Sequence, residues 1–483
     1  MLFNSLTFLL FLFINVLLFW LLNAKLRIRL IFLSSIVFYG FWRWDFVLLM
    51  LFSTILDYFM AIQINQSQSQ FKKKVLLVTT LSINLGLLIA FKYLFFLTEN
   101  INSLLDFFNQ EYAVEPLKLI LPLGISFYTF QTISYSIDVY RKHIIPEKNF
   151  ALYGAYVTFF PQLVAGPILR AGEVIEQLRV REKFKIYFLY SGLKRILFGL
   201  FLKVVLADNI APLVDDAFAL DLTVLSAIDV ITMAFLFGFQ IFFDFAGYSH
   251  IAIGCAKLMG ITFPENFDFP YIASSFKDFW KRWHISLSSW IRDYLYLPLL
   301  GVKVINKNSK SRGGLEVIKT QRMTIALFLT WAIMGLWHGA SWTFVFWGIY
   351  HAFFIYMERK LSNILFFKSK LHSLIGWFIV LPIVMLSWIP FRAVNMGDTF
   401  ILYGKMFNLD NYFHYTLREN YFLIASIFLL GFIVSYYISN WKPTNNRKIV
   451  FIYEYGKVLI YSIMLFLVFI FLRPITQFIY FQF

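Results

Sequence analysis

Cysteine is nearly absent from this chain, because Cys255 is the only one among 483 residues. An internal disulfide is therefore excluded. A lone cysteine in an apolar segment is typical of core packing, so Cys255 is a poor candidate for a residue that carries a thioester.

Charged residues are also scarce, at 14%, whereas hydrophobic residues make up 60% of the chain and aromatic residues 21%. This composition excludes an ordinary soluble globular protein. Apolar stretches of about 17 to 25 residues recur along the chain, and each is long enough to cross a bilayer as a helix. The sequence therefore predicts an all-α polytopic membrane protein in a lipid bilayer.

Acidic residues are fewer than basic ones, 27 against 43, which gives a formal charge of +16. The basic residues lie in short loops between apolar stretches, where they set the orientation of a membrane protein. This placement argues against a nucleic acid as partner. We predict a cytoplasmic location for the basic loops at 72–74, 141–143, 303–322, 359–370 and 442–448. The acidic loops at 99–115 and 208–221, and the N-terminus, are predicted to lie outside.

The apolar stretches predict eleven or twelve crossings within one integral domain, 1–483. They lie near 4–22, 27–41, 46–63, 75–97, 117–138, 186–206, 223–245, 323–337, 342–358, 374–390, 421–440 and 457–473. Residues 150–168 are interrupted by proline and glycine, which predicts a re-entrant segment buried in protein. Residues 250–302 are amphipathic and aromatic, which predicts helices at the membrane interface.

Several catalytic motifs are missing from the sequence. There is no glycine-rich phosphate loop and no nucleophile elbow. No spacing of histidine and carboxylate residues resembles a zinc site, so we predict no metal. The candidates that remain are ionisable residues inside or near the apolar stretches.

The first candidate is His338, in the stretch Gly335-Leu336-Trp337-His338-Gly339-Ala340-Ser341-Trp342. An ionisable side chain at membrane depth is costly unless it faces the protein interior, so it is a functional candidate by default. The small residues permit close backbone approach, and Trp337 and Trp342 are predicted to form rigid walls. A neutral histidine satisfied by a backbone carbonyl is an equally good interpretation of the spacing.

The second candidate is His284, which follows two basic residues and a tryptophan. Arg282 and Lys281 are suited to hold an anionic group such as a phosphate of coenzyme A. The alternative is an interfacial helix whose bases meet lipid headgroups, and composition alone favours that alternative.

Asp244 ends an apolar run and is a third costly group near membrane depth. We predict that it pairs with Arg282 or Lys277, in a structural role. The remaining histidines are predicted to lie at the interface, near span ends or in loops, where solvated histidines are common: His250, His351, His372 and His414.

Taken together, six ordered segments resemble the membrane-bound O-acyltransferase family, over a motif core of about 117–360. They are Leu121 to Gln131, Phe160 to Pro167, Asp244 to Ser249, Pro264 to Phe267, Phe279 to Tyr296 and Gly335 to Ala340. Within the family, the likeness is to the bacterial branch that acetylates exported polysaccharides such as alginate or peptidoglycan. More distant is the branch that D-alanylates teichoic acid.

This resemblance implies a ring of helices with a thin centre, crossed by a tunnel between a cytoplasmic donor site and an outer acceptor site. His338 is the implied catalytic histidine and His284 the second active-site histidine. Substrate- or donor-binding roles are implied for Arg282, Lys281, Trp283, Trp337, Asp244, Asn266 and Ser341. The donor is expected to be acetyl-CoA, with no bound cofactor.

The resemblance also implies a multi-pass protein of the bacterial inner membrane, acting with a periplasmic partner such as an SGNH-type acetyltransferase. Two other classes of function remain open from the residues alone. A transporter or flippase of a lipid-linked precursor would line its pathway with the same buried charges, although the repeated halves typical of many transporters are not evident. A scaffold would need neither histidine. Within the enzyme class, the acceptor is alternatively teichoic acid, a protein or a lipid.

Overall fold

The computed structural model describes residues 1, 3, 5–110, 112–163, 166–180, 182–302, 320–361, 371–441, 447–472 and 478. Most of the basic loop predicted at 303–322 lies outside the described residues, as do parts of the turns at 359–370 and 442–448. The contacts divide the chain into two compact units. The first is Met1–Ile196 with Ser249–Pro264, and the second is Leu197–Tyr248 with Glu265–Phe483.

The described residues form helices joined by turns and irregular segments, and no strand occurs among them. This confirms the all-α membrane class. The α-helices are Leu6–Leu21, Ala24–Gly40, Asp45–Gln66, Gln70–Leu88, Leu94–Phe107, Ile125–Tyr140, Phe150–Thr158, Phe160–Leu163, Ala171–Arg179, Ile186–Leu200, Asp208–Phe218, Ala227–Leu258, Phe276–Arg282, Ile285–Ile291, Leu297–Leu300, Thr320–His338, Trp342–Leu361, Leu371–Leu386, Ile389–Arg392, Met396–Lys405, Glu419–Asn440 and Arg447–Phe471. The π-helical segments are Ile89–Tyr93, Phe201–Ala207 and Arg292–Tyr296, and the 3-10 turns are Pro270–Ile272 and Leu409–Tyr412.

Seven helices of the described chain are long and apolar enough to cross a membrane. They are Asp45–Gln66, Gln70–Phe107, Ile186–Phe218, Ala227–Leu258, Ser373–Arg392, Glu419–Asn440 and Ile449–Phe471. Each corresponds to a predicted crossing. The other five predicted crossings also correspond to helices. These helices are 16 to 20 residues long, and each is shorter or less apolar than the seven above.

Short polar residues begin many of these helices and so divide the apolar sequence into segments. The Ser5 side chain accepts a hydrogen bond from the Phe8 N–H (3.1 Å), and Asn23 does the same for Leu26 (3.1 Å). Such caps satisfy backbone N–H groups that have no partner within the helix. The helix bounds follow from these residues as well as from hydrophobic length.

The crossing predicted from 117 begins as a helix only at Ile125, and the predicted boundary near 245 is also wrong. The crossing expected to end near 245 continues as one helix, Ala227–Leu258, of 32 residues, into the region predicted to be interfacial. The apolar run ends at Asp244, but the helix continues through two glycines that are packing positions: a Cβ on Gly254 would lie 2.7 Å from Ile196 Cγ1, and one on Gly247 would lie 2.9 Å from the Gly199 oxygen. Beyond residue 258 the chain does form the predicted short helices.

Three helices of the first unit are joined by a buried carboxylate. Asp57 accepts hydrogen bonds from Thr80 Oγ1 (2.5 Å) and Asn84 Nδ2 (2.9 Å), which lie on the next helix in the chain. Ser136 Oγ donates a third one from the helix Ile125–Tyr140 (3.1 Å). A polar group within a membrane protein is tolerated when it is satisfied internally, so this cluster fixes the packing of the three helices.

The interruption predicted at 150–168 is present as two short helices, Phe150–Thr158 and Phe160–Leu163. Nearly all of their side chains are buried. Gln162 Nε2 donates a hydrogen bond to the Tyr156 carbonyl (3.1 Å), and the Phe160 N–H at the break donates one to Ser35 Oγ (3.0 Å). The broken backbone is thus buried in protein and satisfied by side chains, as such segments require.

In the second unit, the helices Thr320–His338 and Trp342–Leu361 form a hairpin with close backbone contact. A Cβ on Gly335 would lie 2.1 Å from the Phe344 carbonyl oxygen, and one on Gly348 would lie 2.0 Å from the Trp331 carbonyl oxygen. Only residues without a side chain permit this approach. The hairpin carries the candidate His338 at the end of its first helix.

We expect Gly348→Ala to force these two helices apart. Overpacking of a well-packed core costs about 1–3 kcal/mol, and contact with backbone atoms leaves little room for relaxation. The measurement is the thermal unfolding midpoint in detergent, followed by tryptophan fluorescence. Gly431→Ala is the matched control. Gly431 lies in another apolar helix, and a Cβ added there would have no atom within 4 Å. Equal midpoints for the two variants would contradict the close contact.

Candidate active site

His338 is the last residue of the helix Thr320–His338 and is 4% exposed. Its ring lies 4.9 Å from the Trp337 ring, 5.0 Å from Trp347 and 5.4 Å from Phe391, measured between centroids. The predicted wall residue Trp342 is instead 55% exposed. The prediction of aromatic walls was therefore right for Trp337 and wrong for Trp342, whose expected place Trp347 and Phe391 take.

The turn after His338 is built from small residues, as its sequence suggested. A Cβ on Gly339 would lie 2.1 Å from the Phe344 ring. Ser341 is half-buried, and its hydroxyl accepts a hydrogen bond from the Thr343 N–H (3.3 Å) at the start of the next helix. The structure thus gives Ser341 a capping contact beside the candidate histidine.

His284 lies between the short helices Phe276–Arg282 and Ile285–Ile291 and is fully buried. Its backbone is left-handed, with φ of 42°, which is uncommon for a residue other than glycine. Residues held in this conformation cluster at functional sites. Both ring nitrogens of His284 have no hydrogen-bond partner among the described residues.

Asn266 holds the unusual turn at His284. Its backbone carbonyl accepts a hydrogen bond from the Ile285 N–H (3.0 Å), and its side-chain oxygen accepts one from the Ser286 hydroxyl (2.9 Å). Asn266 is completely buried. In the structure this predicted binding residue therefore shapes the backbone around His284.

The two predicted histidines lie close to the same indole. The Trp337 ring centroid is 6.3 Å from His284 and 4.9 Å from His338. Phe245 packs edge-on against His284 at 4.6 Å. Residues far apart in the chain thus meet in one buried cluster of aromatic rings.

Buried tryptophans extend this aromatic surface. Trp283 lies 4.8 Å from Trp388, and Trp388 lies 6.1 Å from Trp347. The indole N–H groups of Trp347 and Trp388 have no hydrogen-bond partner among the described residues, like the ring nitrogens of His284. Buried polar atoms are usually paired, so such a group of donors and acceptors suits a site that takes up a polar ligand or water.

The two basic residues before His284 differ in their surroundings. Arg282 Nε lies 3.0 Å from both oxygens of Asp278, and Arg282 Nη1 lies 3.5 Å from Asp268 Oδ2. Its charge is thereby balanced within the protein. Lys281 is exposed. Of the two, Lys281 is the one available to an anion from outside.

The predicted partner of Asp244 was wrong. Asp244 pairs with Lys203, whose Nζ lies 2.6 Å from Asp244 Oδ1, and not with Arg282 or Lys277. Lys203 Nζ also lies 2.8 Å from Asp208 Oδ1. Lys203 and Asp244 are each 2% exposed. The prediction of a structural ion pair is correct in kind, but the cation comes from another apolar helix.

Sequence reasoning missed Lys203 and misplaced His351. Lys203 lies within a predicted crossing and in a π-helical segment, Phe201–Ala207. His351 was expected to be solvated, yet it is fully buried and its Nε2 lies 3.1 Å from Ser387 Oγ. Both lie inside predicted crossings, and an ionisable residue within a crossing is itself the signal that was available.

Within the described residues, no group of three or more histidine, cysteine, aspartate or glutamate side chains is placed to hold a metal ion. The arrangement offers imidazole nitrogens, indole N–H donors and an apolar enclosure. Proton transfer at a buried hydroxyl is the chemistry these groups suit.

Comparison with known proteins shows the family of this chain. The sequence model of the MBOAT, membrane-bound O-acyltransferase family matches residues 36–397. The fold and this match define a multi-pass membrane acyltransferase. The chain belongs to the membrane-bound O-acyltransferase family. The family assignment confirms the predicted enzyme class and removes the need for the transporter and scaffold hypotheses.

Relatives of three kinds are similar to this chain. The chain is 36% identical over 420 residues to a probable alginate O-acetylase of Azotobacter vinelandii, covering 85% of this chain and 79% of that protein. It is 35% identical over 407 residues to a peptidoglycan O-acetyltransferase of Helicobacter pylori, covering 78% and 73%. A teichoic acid D-alanyltransferase of Streptococcus thermophilus is 30% identical over 291 residues, covering 56% and 68%.

Proposed function

We propose that this chain transfers an acetyl group from acetyl-CoA to a hydroxyl of an exported or cell-wall polysaccharide. The observation that carries the proposal is that His284 and His338 both lie close to the indole of Trp337, in a buried cluster of aromatic rings. The names of the relatives support an acetyl group and a polysaccharide of the alginate or peptidoglycan kind. We place the protein in the bacterial inner membrane, with the donor arriving from the cytoplasm and the N-terminus in the periplasm.

In this proposal His338 is the general base. Its imidazole takes the proton from the acceptor hydroxyl, whose oxygen forms a bond to the thioester carbonyl carbon. The carbon–sulfur bond then breaks, and the coenzyme A thiolate leaves with the proton that His338 held. An imidazole suits both steps because its ordinary pKa lies near neutral pH. No covalent enzyme intermediate is needed.

His284 is proposed to act on the thioester carbonyl. Its ring nitrogens are buried and have no hydrogen-bond partner among the described residues, so a protonated nitrogen there is available to the developing oxyanion. The hydrogen bonds that Asn266 accepts from Ile285 and Ser286 hold the backbone beside this ring in place before substrate arrives. Trp283 and Trp337 exclude water that would otherwise hydrolyse the donor.

The remaining predicted binding residues have more peripheral parts in this proposal. Lys281 is exposed and is the candidate for contact with a coenzyme A phosphate. Arg282 is held by carboxylates and is assigned to positioning the turn before His284. Ser341 caps the helix after His338, and Asp244 anchors its helix through Lys203.

The acceptor is either a polysaccharide hydroxyl or a serine of a periplasmic partner that passes the acetyl group onward. An SGNH-type acetyltransferase is the proposed partner. Its serine hydroxyl and a sugar hydroxyl have the same chemistry at His338. Only a transfer experiment with and without the partner protein separates these two acceptors.

The test uses membranes that contain this chain, radiolabelled acetyl-CoA, and either polymer alone or polymer with the partner protein. We expect label on the polymer, or first on the partner, only in membranes with this chain. Radiolabelled octanoyl-CoA is the control for chain length and should label much less. Transfer of octanoyl but not acetyl, or no transfer with polymer and partner both present, would overturn the proposed substrate.

A further inference from the structure

The structure contains a third buried histidine, which the proposed chemistry does not use. His351 lies in the helix Trp342–Leu361 and is completely buried. Its Nε2 lies 3.1 Å from Ser387 Oγ, in the turn between the helices Leu371–Leu386 and Ile389–Arg392. This is a specific polar contact between segments 36 residues apart.

The direction of this hydrogen bond follows from the second contact of the serine. Ser387 Oγ lies 2.6 Å from the Val384 carbonyl oxygen, which has no proton to give. The single hydroxyl proton therefore points to Val384. His351 Nε2 must then donate to Ser387, which makes the ring the neutral Nε2–H tautomer with its acceptor at Nδ1.

The two partners of this hydrogen bond lie close in the chain to two of the rings that surround His338. Trp347 is one helical turn before His351, and its ring contacts His351 at 4.8 Å and His338 at 5.0 Å. Phe391 is one turn after Ser387 and lies 5.4 Å from His338. The hydrogen bond from His351 to Ser387 thus joins the two segments that carry Trp347 and Phe391, whose rings contact each other at 5.2 Å and both pack against His338.

Other aromatic rings prevent His351 from turning away. Trp280 lies edge-on at 5.0 Å and Trp331 is stacked at 5.7 Å. Phe279 is stacked at 6.2 Å on the same imidazole. Enclosed in this way, the ring has one polar partner in the described structure, Ser387, and its orientation depends on that bond.

We propose that His351 is a positioning residue for His338. Through Ser387 it sets the separation of Trp347 and Phe391, and these rings set the orientation in which the His338 imidazole meets the acceptor hydroxyl. The proposal rests on the proposed function, because it assumes that His338 moves the proton. His351 itself touches no substrate in this account.

The test compares three variants in the acetyl-transfer assay with the full-length protein. We expect His351→Phe and Ser387→Ala to lower kcat by about 10- to 100-fold, since a misplacement of about 1 Å at a reacting group costs up to about 100-fold. The KM for acetyl-CoA should stay within about twofold, because the donor contacts are unchanged. His351→Gln should keep most of the activity, because its side-chain amide can donate to Ser387.

Ser426→Ala is the matched control. Ser426 Oγ donates to the Phe422 carbonyl at 2.8 Å, a similar bond within a helix, but it is exposed. This variant should keep the wild-type kcat. Thermal unfolding of each purified variant gives the folded fraction by which kcat is corrected.

The outcomes separate the two proposals. If His338→Ala retains activity, the proposed function fails, whatever the His351 variants do. If His338→Ala is inactive but His351→Phe has the wild-type kcat, the positioning role is overturned. Equal losses in His351→Gln and His351→Phe, after correction for folded protein, would also overturn it, because rescue by the amide donor is what positioning requires.

Discussion

Replacing His338 by alanine is expected to lower the rate of acetyl transfer by about 10²- to 10⁴-fold, the contribution typical of a positioned general base. The imidazole is the only group of this side chain that takes a proton, and its removal leaves the hydroxyl without a base at that position. Donor binding should change little, because the expected loss lies in the chemical step. The measurement is the initial rate of label transfer from acetyl-CoA at saturating donor.

Two controls make this result interpretable. His414→Ala removes an exposed histidine and should leave the rate unchanged. His338→Gln keeps a polar side chain of similar reach without a base, and it should be nearly as inactive as His338→Ala. Full transfer by His338→Ala, in protein that unfolds at the wild-type temperature, would remove His338 from the mechanism.

The second large effect is expected from Lys203→Met, which should lower the free energy of unfolding. This change leaves the buried Asp244 carboxylate without the cation at 2.6 Å and Asp208 without the same cation at 2.8 Å. Removing one partner of a buried ion pair typically costs about 3–5 kcal/mol, because the remaining charge stays desolvated. We expect the free energy of unfolding, measured by denaturant titration in detergent micelles, to fall by about that amount.

The matched comparison for Lys203→Met replaces all three charged residues of the cluster by neutral ones. Lys203→Met combined with Asp208→Asn and Asp244→Asn should recover at least half of the loss, because no uncompensated charge remains buried. Lys185→Met, in an exposed pair with Glu182 at 3.8 Å, should cost less than about 1 kcal/mol. A Lys203→Met protein as stable as the Lys185→Met protein would show that the buried charges are compensated in another way.

The helical segments were predictable because hydrophobic length and short capping residues act locally. Twelve predicted crossings correspond to twelve helices for this reason. The boundary near 245 failed because the apolar run ends at Asp244, whereas the helix continues through Gly247 and Gly254, which pack closely against neighbouring residues. A glycine either ends a helix or lets a neighbouring element approach, and only the tertiary contact decides between them.

The ordered motifs predicted the candidate residues His284, Asn266 and His338, and the structure buries all three, while their catalytic roles stay predictions. The rings around His338 were predicted only in part. Trp342 is nearer to His338 in the sequence, but Trp347, five residues later on the same helix, is the residue whose ring packs against the imidazole. Local sequence order does not encode which face of the second helix packs against the first.

The partner of Asp244 was missed for a related reason. The candidates considered were bases that follow it in the chain, whereas Lys203 precedes it by about 40 residues on a separate helix. Pairing across helices depends on rotation about the helix axis. A π-helical segment such as Phe201–Ala207 changes that rotation in a way that a regular hydrophobic period does not show.

The length of the Ala227–Leu258 helix has a consequence for the route of the acyl group. At about 1.5 Å per residue its 32 residues extend over about 48 Å, more than the roughly 30 Å of a hydrocarbon core. Phe245, which touches His284, lies about 27 Å from its first residue. In the proposed function, a donor from one surface and a hydroxyl from the other would meet at this level of the helix. The acetyl group would change carriers inside the bilayer, and neither polar substrate would have to traverse its full thickness.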